Sequence, residues 1–76
     1  MHVKFYHDDD KNWRWQLTAS NKQSLADSAE SYADVKEAVA SFQETTQCEL
    51  RLYHKGWRSV RNKRFNRIFV DGVPRS

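Results

Sequence analysis

Lys55, Arg58, Arg61, Lys63, Arg64 and Arg67 fall within thirteen residues that contain no acid, and Trp57, Phe65 and Phe69 are interleaved with them. Cations in such a run can neutralise phosphates, and aromatic rings among them can stack on bases. The same pattern suits two other uses. The rings can close a core or a dimer interface while the charges stay in water, or the positive segment can dock on an acidic protein surface. The favoured reading is nucleic-acid binding through Lys55, Trp57, Arg58, Arg61, Lys63, Arg64 and Arg67. The alternative is a protein-interaction module, an adaptor or small inhibitor that meets an acidic partner.

Other reactive residue types are present without the company that chemistry needs. His7-Asp8-Asp9-Asp10 offers an imidazole and three carboxylates, but adjacent loop residues point in different directions and no remote ligand completes a metal set. A solvated acidic turn is the expected role. No serine lies in a nucleophile elbow, which argues against a hydrolase. Cys48 falls on the inward side of an alternating run and is expected to be a buried, inert thiol. The two glycines do not form a phosphate-binding loop. No enzyme, cofactor, metal or small-molecule substrate is therefore expected.

Charge is divided along the chain. Residues 1–50 hold five Lys/Arg against nine Asp/Glu, whereas residues 51–76 hold eight against Asp71 alone. At 76 residues the chain is one domain's worth of sequence, near the lower limit for a self-sufficient core. The single cysteine allows no internal disulfide and fits a reducing compartment. Neither a signal peptide nor a run of the ~20 apolar residues that a spanning helix needs is present. A soluble, cytoplasmic protein without membrane contact is expected.

The elements that must carry these residues follow from periodicity. Val3–Tyr6 alternates as a short strand. After the acidic turn, Trp13, Trp15, Leu17 and Ala19 share one face of a second strand, with Arg14 and Gln16 on the other. Arg14 is expected to pair with a neighbouring strand, for instance at Asp27 or Glu49. Asn21 is the residue expected to take the left-handed conformation in the next turn. Ser24–Ser28 forms a third strand. Asp34 and Glu37 have capping-box spacing, and Val35, Ala38, Val39 and Phe42 recur on one helical stripe that the Thr45-Thr46 pair ends. Cys48–Tyr53 alternates again, with Cys48, Leu50 and Leu52 inward. Beyond His54 the pattern fits either a helix through Trp57, Val60, Phe65 and Ile68 or a hairpin turning at Asn62-Lys63, with Phe65–Val70 as its second strand. The hairpin is preferred because Asp71-Gly72 punctuates its end. Val73–Ser76 is expected to fray.

Phe5-Tyr6, Trp13-Arg14-Trp15-Gln16-Leu17, Ala19-Ser20-Asn21, Ala26-Asp27-Ser28, Tyr32 and the helix bearing Ala38 and Phe42 together resemble the YegP-like family of small bacterial and archaeal domains. The resemblance covers residues 3–52, about one family repeat. It implies an α+β fold: a β-β-β-α-β unit with an antiparallel sheet and one packed helix. Such units assemble in pairs into a joint sheet with exchanged C-terminal strands, so one repeat implies a homodimer. The family has no assigned activity, and the resemblance carries none. This chain departs from the pattern at Lys22, where Gly commonly follows Asn, and at Glu30-Ser31, where a Gly is usual before Tyr. The expected organisation is a YegP-like α+β domain over residues 1–54 and a basic aromatic C-terminal extension, hairpin or arm, over 55–76.

Overall fold

The computed structural model describes residues 1–60 and 67–74. They form an α+β fold in the order β1 (His2–His7), β2 (Trp13–Thr18), β3 (Ser24–Asp27), α1 (Val35–Thr46), β4 (Leu50–Tyr53), β5 (Gly56–Ser59) and β6 (Phe69–Asp71). All six strands join one sheet, ordered β3-β2-β1-β6-β5-β4. Neighbouring pairs are antiparallel except β1 and β6, which run parallel, so the sheet is mixed where the sequence pattern suggested a wholly antiparallel one. The cause lies in β6. It returns antiparallel to β5, and in entering the sheet between β5 and β1 it comes to run the same way as β1.

The residues set apart by sequence as an extension thus supply two of the strands. β6 joins the β1–β3 meander to the β4–β5 hairpin, and Ile68 beside it is 1% exposed within the core. Of the two conformations left open beyond His54, strands hold: β5 and β6 pair at Arg58 and Phe69. The expected turn at Asn62-Lys63 lies outside the described residues. Val73 packs against the core, and the Pro74 carbonyl accepts a hydrogen bond from the Trp57 indole at 2.9 Å, so this part of the tail is anchored, not frayed.

One face of the sheet is covered by α1. Alternation along β1 and β2 sends Val3, Phe5, Trp15 and Leu17 to that side, where they meet Ala38, Val39 and Phe42 of the helix. The rings of Phe5 and Trp15 both meet Phe42 edge-on, at centroid distances of 5.9 and 5.2 Å. Ser41 on the helix fastens the polar rims of this core, accepting from the Tyr32 hydroxyl at 2.8 Å and lying 3.4 Å from the Trp15 indole nitrogen. Asp34 caps α1 by accepting from the Lys36 N–H at 3.0 Å. At the other end Gln47 takes a left-handed conformation and stops the helix.

The two N-terminal hairpins share one turn design. In each, a three-residue loop closes with its last residue left-handed: Lys11 at φ 62° between β1 and β2, and Lys22 at φ 69° between β2 and β3. Asn21, the residue expected there, instead accepts from the Gln23 N–H through its side chain. An L-residue pays about 1–2 kcal/mol for this conformation, and glycine's greater unfolded-state entropy offsets only part of that. Lys11→Gly and Lys22→Gly are each expected to stabilise the domain by about 0.5–1 kcal/mol. Urea melts should show a higher midpoint at unchanged slope; an unchanged midpoint would contradict the turn geometry.

Candidate nucleic-acid interface

The second face of the sheet is covered by no element among the described residues. Register places Lys4, Arg51, Tyr53, Arg58, Phe69 and Asp71 on it, all exposed. The centre of interest is where β4, β5 and β6 lie side by side. Arg58 on β5 is aligned with Phe69 on β6 and with Arg51 on β4. The Arg58 guanidinium sits 5.8 Å from the Tyr53 ring centroid, and that of Arg67 sits 6.0 Å from the Phe69 ring centroid. Phe69 is 60% exposed and Tyr53 45%. Each ring therefore has a cation beside it and solvent around it.

The carboxylates on or near this face are largely engaged. Glu49 accepts from the Arg51 Nε at 3.0 Å and so holds that guanidinium above its ordinary pKa. Asp71 contacts His2. Among the described residues Arg58 and Arg67 form no ion pair.

The seven residues proposed from sequence divide sharply. Arg58 and Arg67 lie on the open face. Lys55 is exposed in the turn joining β4 to β5. Trp57 does not belong with them: it alternates to the helix side, packs against the core, and spends its indole N–H on Pro74. Arg61, Lys63 and Arg64 lie outside the described residues. Tyr53 and Arg51 were missing from the sequence-derived set. Their signal was the outward parity of Glu49, Arg51 and Tyr53, immediately before the basic run. Leu52, expected inward, is 47% exposed because β4 is the outermost strand.

The acidic turn has a structural explanation. One Asp8 oxygen accepts from the backbone N–H groups of Asp10 and Asn12 at 2.9 and 3.0 Å, and the other from the Arg14 Nε at 2.9 Å. Arg14 thus pairs within its own hairpin, in place of Asp27 or Glu49. Its hydrogen bond, then that of Asn12, holds the Asp8 carboxyl below its usual pKa. A carboxyl more acidic in the folded state adds stability above the unfolded value of about 3.9, and that contribution disappears as pH falls through the folded value. The stability gap between the parent and Asp8→Asn should therefore be widest near neutral pH and close below about pH 4. A gap that persists into strong acid, measured by urea midpoints, would contradict this role.

Among the described residues no three His, Cys, Asp or Glu side chains converge as a metal site, and no helix is long and apolar enough to cross a membrane. Cys48 is buried in the core. No protein-family model matches the chain, and comparisons with curated proteins and with solved structures found no match.

Proposed function

We propose that this chain is a non-enzymatic nucleic-acid-binding module that meets the phosphate backbone through the open face of its sheet. The observation that carries this reading is the pair of arginines, Arg58 and Arg67, that form no ion pair among the described residues, each beside an exposed ring on the face that no described element covers. The reading moves the sequence-derived site from a separate arm to a sheet surface. Arg61, Lys63 and Arg64 follow Arg58 in the sequence and lie outside the described residues. Against catalysis stand the fates of the reactive groups: Ser28 and Ser41 bind the Trp15 backbone and indole, Asp8 is held by its turn, and Cys48 is buried. The YegP-like placement is part of the same proposal and rests on the motif residues; the homodimer rests on it in turn.

Fluorescence anisotropy with labelled oligonucleotides tests the function. If about four phosphates are met, log K should fall against log salt with a slope of about −3 to −4. The double variant Arg58→Gln/Arg67→Gln should bind all sequences more weakly and flatten the slope by about two units. Binding that is absent at low salt, or indifferent to salt, overturns the proposal in favour of an acidic protein partner.

A further inference from the structure

The open face combines charge with two rings held apart, and that spacing bears on which form of nucleic acid it takes. Tyr53 is aligned with Gly56 and Phe69 with Arg58, so the two rings stand on strands that flank β5, two residues apart along it. With strands about 4.8 Å apart and about 3.4 Å per residue, their backbone positions are about 12 Å apart. Side chains that rise side by side from one sheet face at that spacing offer two separate stacking surfaces. Bases in a duplex rise by about 3.4 Å and cover one another's faces, leaving only their edges exposed in the grooves.

We propose that the ligand of this face is a single strand of nucleic acid, with one base stacked on Phe69 beside Arg67 and another on Tyr53 beside Arg58. The inference rests on the nucleic-acid reading above and adds the strandedness of the ligand and the residues that select it.

Three observations converge on it. First, the face is a sheet six strands wide, about 24 Å between its outer strands, whereas the major groove is about 12 Å wide. A broad sheet suits an opened strand laid across it. Second, Phe69 is 60% exposed although Ile68 before it is buried, and Tyr53 on the far side of β5 is 45% exposed. Isolated exposed apolar side chains are common on proteins. Two aromatic rings on one uncovered face, each with its own arginine, form a repeated ring-and-cation unit. Third, the guanidinium–ring separations of 5.8 and 6.0 Å lie at the outer edge of cation–π contact. The cations flank the rings more loosely than in close stacking, and either can turn to a phosphate while its ring receives a base. Stacking of this kind tolerates any base, since every base has a π-face.

The test compares a labelled 12-nucleotide oligothymidylate with a labelled duplex of the same length, using the parent, Phe69→Ala, Tyr53→Ala and Phe69→Trp. The parent should bind the single strand at least about ten-fold more tightly than the duplex, and each alanine variant should lose about ten-fold on the single strand without changing the salt slope. Phe69→Trp should retain single-strand binding. Both altered side chains are exposed, and an unchanged urea midpoint identifies variants that fold. Duplex binding as tight as single-strand binding, or full affinity in Phe69→Ala, overturns the single-strand inference while salt-dependent binding keeps the broader reading. Absence of binding to both oligonucleotides overturns the two together.

Discussion

Trp15→Ala is expected to lower the stability of the domain by about 3–5 kcal/mol, the usual cost of truncating a large buried aromatic. Trp15 is 1% exposed and is the largest of the fully buried side chains. Its ring abuts Phe42 edge-on, its indole nitrogen faces Ser41, and its backbone N–H and carbonyl are both held by Ser28. Removing the ring opens a cavity between sheet and helix that the neighbours cannot fill without leaving their strand and helix positions. A domain this small has a total stability of about 5 kcal/mol or little more, so much of the variant population should be unfolded at ambient temperature. Trp13 provides the contrast. It is half-buried at the start of β2, against the His7 ring at 4.0 Å, and Trp13→Ala should cost only about 1–2 kcal/mol. Urea denaturation followed by circular dichroism measures both, and equal midpoints for Trp15→Ala and the parent would contradict the placement of the core.

A similar loss, about 3 kcal/mol or more, is expected from Gly72→Ala. Gly72 has φ 82°, and a Cβ built there would overlap the carbonyl of Phe5 in β1. Any side chain must therefore push the end of β6 away from the strand it pairs with. Since β6 is the junction between the two halves of the sheet, the damage should spread: amide protection at Phe69–Asp71 should fall along with the melting midpoint. Gly56 separates strain from collision. Its φ of 125° also disfavours a side chain, but a Cβ there meets nothing within 4 Å. Gly56→Ala should accordingly cost about 1–2 kcal/mol and leave the rest of the sheet protected. Equal effects at the two glycines would refute the close approach at Phe5.

Much of the fold was legible because the signals are local. Val3 and Phe5 alternate with Lys4 and Tyr6, and Trp15 and Leu17 with Arg14 and Gln16. An extended chain turns such alternation into two faces whatever its neighbours are. Val35, Ala38, Val39 and Phe42 likewise make a stripe on any helix, and Asp34 can cap it without outside help. The turns were less transparent. Both Lys11 and Lys22 occupy the left-handed position of a three-residue loop, which ring closure requires of the third residue whatever its identity. Asn21 drew the expectation through its intrinsic tolerance of that conformation, a weaker constraint than hairpin geometry.

The candidate site was legible only in part. The basic composition of residues 55–67 is a sequence property, and so is the outward parity of Tyr53. Which of the aromatics faces solvent is not. Trp57 is adjacent to Arg58 in the chain and lies on the opposite face, anchored by Pro74, while Phe69 comes from a strand ten residues or more away and stands beside Arg58.

The sequence by itself determined the identities of β1 to β4 and of α1, the residues that share a face within β1, β2 and α1, and the excess of cations after residue 50. Tertiary structure alone decided that β6 enters between β1 and β5, that the final segment belongs to the sheet, and that Tyr53, Arg58 and Phe69 form one surface. The reason is physical. Side-chain parity along a strand is set by backbone geometry over two residues, whereas strand order is a choice among long-range pairings whose local energies are alike. That choice is made by which packing buries Ile68, Val70 and Trp57 against the core while letting Gly72 close on Phe5.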